Sequence, residues 1–231
     1  MPFIEIGSAF ITSFIVSPIM TVIDTSIIKS QFQQNSFFKN FQNTFSQYKN
    51  KQISFQKPFN IMFGVYFSTY ATANLTEYYC KKNSIDFQYP TLLSTSLVNI
   101  GGIAYKDKEY AKMFSNIKPK PFPILSIALF SLRDILTIGS SFVIKKELLK
   151  ISEPSLDFFL SITVPITAQI FSTPLQILSM DLYNRPNISW KYRLQNIQNQ
   201  YCTICMGRMI RVLPAFSIGG YVNDLLRSKR N

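Results

Sequence analysis

Residues 3–23 read FIEIGSAFITSFIVSPIMTVI, a run whose only formal charge is Glu5. About 20 largely apolar residues suffice for a helix to cross the hydrocarbon of a bilayer, so this stretch reads as a membrane span. The next stretch of chain has the opposite character. After Asp24 come Lys29, Lys39, Lys49, Lys51 and Lys57, with no further acid among them. Working outward, apolar segments recur at Phe59 to Thr76, Tyr89 to Tyr105, Phe122 to Ile144, Leu156 to Met180 and Ile210 to Val222, six in all.

Basic residues collect in every other connection. Lys106, Lys108, Lys112, Lys118 and Lys120 follow the third segment, against Asp107 and Glu109, and Arg185, Lys191, Arg193 and Arg208 follow the fifth, after Asp181. The remaining connections hold Lys81, Lys82, Lys145, Lys146 and Lys150, balanced by Glu77, Asp86, Glu147, Glu153 and Asp157. Positively charged loops are retained on the inner side of a membrane. The alternation therefore predicts six spans, with the basic loops inside and both termini on the opposite side. A soluble helical bundle is the competing fold, and it has no reason to sort its charges this way.

The composition narrows the function classes. The 231 residues carry a net charge of +12, yet only 16% are charged and 47% are hydrophobic, against about 25% charged in a typical soluble domain. A disordered chain would be poor in the aromatics that make up 15% here. A mean hydropathy of +0.10 is low for helices that face lipid all round and suits helices with one face on protein or water. Histidine is absent, which removes the commonest general base and metal ligand. No enzyme, metal or cofactor is expected. Cys202-Thr-Ile-Cys205 is a lone pair with no second set of ligands, and Cys80 stands apart. The positive charge could suit nucleic acid, but its alternation assigns it instead to anionic lipid such as cardiolipin at the loop edges.

The sequence also repeats internally. The stretch from Arg211 to Asp224 and that from Arg133 to Lys146 each run from an arginine, through small residues and an aromatic, to a charge thirteen positions on. Ser172-Thr-Pro174-Leu-Gln176 and Val16-Ser-Pro18-Ile-Met20 each place a proline inside an apolar segment. These features resemble the mitochondrial carrier family, as a divergent and shortened member. The resemblance implies an all-α membrane protein, a six-transmembrane-helix bundle of three two-helix repeats with short amphipathic matrix helices. The whole chain, 1–231, is then a single domain with repeats of about 1–87, 88–153 and 154–231. It places the protein in the mitochondrial inner membrane, basic loops toward the matrix and termini toward the intermembrane space. The spacing of Phe37, Phe38, Phe41, Phe45 and Tyr48 suits one surface helix over 35–50, and Ile188 to Tyr201 suits a shorter one.

By the same resemblance, Pro18 and Pro174 stand at gate prolines, with Asn99 at the remaining position. The gate acids are replaced by Met20, Gly101 and Gln176, and the gate bases by Ile23, Ala104 and Ser179. On the opposite side, Asp224 and Arg227 match, Glu77 matches without its base, and Lys146 stands where an acid belongs. The substrate contacts fall on Gly64, on Arg133 with Asp134, and on Arg211. Loss of the gates points to a carrier-derived protein that no longer transports. It would serve as a structural subunit among the membrane proteins of a respiratory-chain complex. The alternative is a carrier exchanging a small carboxylate or amino acid through Arg133, Asp134 and Arg211, a guanidinium being able to grip a carboxylate at two points. The partners are then the bilayer, neighbouring subunits or a small anionic solute.

Overall fold

A computed structural model describes residues 2–33, 35–114, 123–140, 144–151, 153 and 156–228. Its first helix shows how the sequence shapes the rest. In α1 (Pro2–Gln33) the buried face carries Glu5, Ser8, Thr12, Ser13, Ser17, Thr21 and Asp24. Phe3, Phe10, Ile11, Phe14, Ile15 and Ile19 stand exposed on the opposite face. Polar inside and apolar outside reverses the order of a water-soluble domain. The inward hydroxyls satisfy themselves on their own helix. Ser13 donates to the Ala9 carbonyl at 2.6 Å, Ser17 to Ser13 at 2.6 Å and Thr21 to Ser17 at 2.7 Å, the i−4 pattern by which such side chains avoid a desolvation cost.

The other elements are α2 (Phe37–Lys49), α3 (Gln56–Lys82), α4 (Gln88–Phe114), α5 (Ile124–Gly139), α6 (Lys145–Ile151), α7 (Asp157–Asn184), α8 (Trp190–Val212) and α9 (Gly219–Ser228). No strand occurs among the described residues. Ser36 caps α2, its hydroxyl accepting from the Lys39 amide at 3.3 Å. Pro123 precedes α5 in an extended conformation, as the preset φ of proline favours at a helix start. Between α8 and α9 the chain widens into a π-helical segment, Leu213–Ile218, at Pro214, whose nitrogen has no hydrogen to donate.

Successive long helices run antiparallel and close into a ring. Asn74 of α3 meets Glu5 of α1, while Phe59 of α3 meets Phe14. Thr76 of α3 meets Ser94 of α4, while Tyr110 donates to the Pro58 carbonyl. Asp107 of α4 binds Arg133 of α5, and Ser126 of α5 binds Ser179 of α7. Gln169 of α7 binds Arg208 of α8, and Arg227 of α9 returns to Glu5. Lys29 near the end of α1, Lys39 and Lys49 on α2, Lys51 just after it, and Lys57 and Lys191 at the starts of α3 and α8 therefore share one end of the ring, opposite the start of α1. At that end Lys112 donates to Glu109 at 2.8 Å and holds its carboxyl below the ordinary value. The apolar core also lies toward this end, built from Met20, Ile28, Met62, Tyr110, Phe130 and Ile177.

Several expectations need correction. Among the described residues only α1 and the stretch Trp190–Arg227 are long and apolar enough to cross a membrane. The protein is all-helical with two candidate spans and is not the expected six-span carrier bundle. The remaining long helices interrupt their apolar runs with Asn74, Lys106, Asp107, Arg133, Asp134 and Gln169, all of them buried. The stretch from Ile188 to Tyr201 is no separate surface helix: from Trp190 on it is the first half of α8. Lys106, Arg193 and Arg208 are not loop charges, being 3%, 3% and 4% exposed. Lys118 and Lys120 lie outside the described residues.

Candidate functional site

Five helices send polar side chains to one level of the ring. Asp24 comes from α1, Lys106 and Asp107 from α4, Arg133 and Asp134 from α5, Gln176 from α7, and Arg208 and Arg211 from α8. The closed antiparallel order brings residues far apart in sequence to the same depth. They surround a cavity of about 10 Å³ lined by Asp24, Lys106, Asp107, Arg133, Arg208 and Arg211, among others. That is room for about one water.

The charges interlock. Lys106 Nζ reaches Asp24 Oδ2 at 2.5 Å and Asp107 Oδ1 at 2.8 Å. Arg133 Nη1 donates to Asp107 Oδ2 at 2.8 Å, while its Nε and Nη2 grip both oxygens of Asp134 at 2.9 and 2.8 Å. The same guanidinium contacts the Gln176 Oε1 and lies over the Phe130 ring at 4.8 Å. Arg211 Nε meets Asp24 Oδ1 at 3.0 Å. Two parallel donors on one carboxylate give Arg133 and Asp134 the strongest geometry available to such a pair. Asp24, Lys106, Asp107 and Arg133 are at most 3% exposed. Charges taken out of water at this depth persist because each answers another.

Arg208 is held differently. Its Nη2 donates to Gln169 Oε1 at 2.7 Å and to Ser172 Oγ at 3.0 Å, and its Nη1 to Gln176 Oε1 at 3.4 Å. All three acceptors are neutral. Its Nε is buried without a hydrogen-bond partner among the described residues.

Toward the termini a second polar layer ties three helices together. Arg227 of α9 binds Glu5 of α1 at 2.7 Å and Glu77 of α3 at 2.8 Å. Asn74 and Asn223 exchange amide hydrogen bonds at 2.9 and 2.9 Å. At the basic end, Asp181 of α7 binds Arg185 and Arg193, fixing the turn between α7 and α8.

The residues singled out from the sequence thus separate into groups. Arg133, Asp134, Arg211 and Gln176 converge in the central cluster, whereas Glu77 and Arg227 meet in the terminal layer. Asp224 is exposed beside that layer, and Gly64 is exposed on α3, away from the cluster. Pro18 and Pro174 sit inside unbroken helices, as does Pro165. Sequence reasoning passed over Asp24, Lys106, Asp107, Gln169 and Arg208. The available signal was the adjacent pair Lys106-Asp107 beside an apolar segment, since neighbouring opposite charges there add little to a loop and much to a buried network.

The inside-out burial of α1 continues around the ring. Leu97, Ile135, Phe159, Phe171, Leu194 and Tyr221 all stand more than half exposed. An apolar exterior around a charged interior is compatible with a membrane protein.

A family described as probable citrulline exporter matches residues 8–231. No curated protein and no solved structure matches the chain. The match overturns the resemblance to the mitochondrial carrier family, which rested on isolated prolines and even-segment arginines. The mitochondrial address and the termini's assignment to the intermembrane space depended on that resemblance and lose its support. An exporter family is one of transporters and not of enzymes, so the non-transporting respiratory-chain subunit is overturned too. Of the two functional expectations, transport of a small carboxylate or amino acid fits better. The match spans all but the first seven residues, and the chain belongs to the probable citrulline exporter family.

Proposed function

We propose that the chain exports a small zwitterionic amino acid of the citrulline type, and that the solute passes through the central charge cluster. One observation carries the reading: a largely buried cluster of both signs, ringed by helices, in a member of an exporter family. Citrulline carries a carboxylate, an ammonium group and a neutral ureido group. The cluster offers guanidinium groups, aspartates and the amides of Gln169 and Gln176, a donor or acceptor for each. Buried ionisable groups in membrane proteins mark solute pathways because they are otherwise costly.

The arrangement is closed, since a cavity of about 10 Å³ admits no amino acid. Passage requires the helices to part first on one side of the cluster and then on the other. The layer of Glu5, Glu77 and Arg227 closes the terminal side, and the packing of α2 and α8 closes the basic side. A solute shifts the balance between such states only by binding one of them better. In this reading the chain is a single domain, the bilayer covers the apolar exterior, anionic lipid lies against the basic end, and that end faces inward.

The test is efflux from liposomes preloaded with labelled L-citrulline and carrying the purified chain. Accelerated loss relative to protein-free liposomes, with sucrose retained, is the expected result. Equal loss of citrulline from both preparations would reject the reading.

A further inference from the structure

We propose that Arg208 receives the carboxylate of the transported solute. The inference deepens the exporter reading and rests on it.

The cluster is one anion short. Lys106 is answered by Asp24 and Asp107, Arg133 by Asp107 and Asp134, and Arg211 by Asp24. Arg208 has no carboxylate within ion-pairing distance among the described residues. It is 4% exposed and makes do with two glutamine oxygens and a serine hydroxyl. Its Nε has no hydrogen-bond partner among the described residues. Gln176 Oε1 is shared by Arg133 and Arg208, so two guanidinium groups converge on one neutral oxygen.

Like charges brought together away from water repel strongly, and a buried cation without a counter-ion is the least favourable member of such a network. The cluster thus sets four cations against three aspartates, and all of these but Asp134 line one cavity. A carboxylate arriving there supplies the missing charge. The planar fork of a guanidinium suits that group better than it suits a spherical ion. Arg211, three positions along α8 and therefore on the same face, is already committed to Asp24. The adjacent Gln169 and Ser172 hold the Arg208 guanidinium without neutralising it, which leaves its charge available.

The experiment measures the melting temperature of the purified full chain in lipid-supplemented detergent. The probes are L-citrulline, its α-carboxamide, sodium acetate and sodium chloride. L-citrulline is expected to raise the melting temperature of the native protein, and the carboxamide to leave it unchanged. In Arg208→Gln the citrulline response is lost. In Arg208→Lys it persists, with half-saturation raised about tenfold or more, the scale of a charged hydrogen bond.

Equal responses to acid and carboxamide would overturn the proposal, as would an Arg208→Gln protein that responds like the native one. So would a chloride response matching that to citrulline, which makes the site a seat for any small anion. A native protein stabilised by none of the carboxylates overturns it as well. If Arg208→Gln fails to fold, the comparison of acid and carboxamide on the native chain decides alone. Stabilisation by acetate but not by citrulline, abolished in Arg208→Gln, keeps the carboxylate site and rejects the citrulline reading.

Discussion

Asp24 answers two cations at once, Lys106 at 2.5 Å and Arg211 at 3.0 Å, while itself only 2% exposed. Replacing it with asparagine keeps the shape and removes the charge, so two buried cations lose their shared partner. Breaking a buried ion pair from one side costs about 3–5 kcal/mol. Asp24→Asn is expected to lose a comparable share of stability in thermal or denaturant unfolding in detergent. Glu147→Gln serves as the contrast. Its partner Lys150 is 60% exposed and Glu147 61%, and an exposed pair contributes about 0–1 kcal/mol. Equal losses in the two variants would mean that the central cluster is hydrated and its charges independent. This network was only partly legible in the sequence. Arg133 and Asp134 stand out because they interrupt an apolar run, but Lys106 and Arg208 fall at the edges of such runs and read as loop charges. Asp24 and Lys106 are 82 residues apart, and no local pattern announces a pairing at that distance.

At the scale of elements, two contacts hold the ring closed around the cluster. Gly207 lies where α8 crosses α1 and α2: a Cβ there would sit 2.6 Å from a Phe37 ring carbon and 3.0 Å from an Ile27 side-chain carbon. Gly207→Val is expected to destabilise by about 1–3 kcal/mol, the usual cost of overpacking, as a lowered melting temperature. The second contact is the reciprocal pair of Asn74 and Asn223, which also links α3 to the Glu5 carbonyl at 3.1 Å. Asn74→Leu leaves the Asn223 amide buried and unpaired, at about 1–3 kcal/mol, whereas changing both partners to leucine costs less than the sum of the single changes. A double variant as unstable as that sum would show that the two amides act independently. The helical elements were the most legible level. The surface helix over 37–49 is explained by its aromatic spacing and Ser36 cap, and the prolines at 18 and 174 do not end their helices. The first half of α8 was misread because its polar, asparagine- and glutamine-rich sequence looks like a surface helix. Arg193, Asn196 and Gln200 instead turn inward to bury their polar groups, with Arg193 and Asn196 meeting Asp181.

Taken whole, the molecule exposes many apolar side chains and buries a central cluster of charges beside its apolar core. The sequence carried that arrangement in its composition, with 47% hydrophobic and 16% charged residues. It also carried the clustering of lysines that the antiparallel ring gathers at one end. It did not carry the family. Scattered prolines and arginines are shared by many helical transporters, and they pointed to one relationship where the whole-length match establishes another. Loss of gate residues counted against transport only under that first relationship. In the proposed reading the same interior is the transport site, held shut by its own ion pairs.

The most direct measurement is efflux of labelled L-citrulline from liposomes carrying the native chain or Arg133→Met, each shown to be folded by its helical circular dichroism. Arg133 anchors Asp107, Asp134 and Gln176 together. Rapid efflux through the native protein is expected, with at least a tenfold slower rate for the variant, about 1.4 kcal/mol on the barrier. Equal efflux through a folded Arg133→Met protein would contradict the proposed function, because the solute would then be crossing somewhere other than the charged centre.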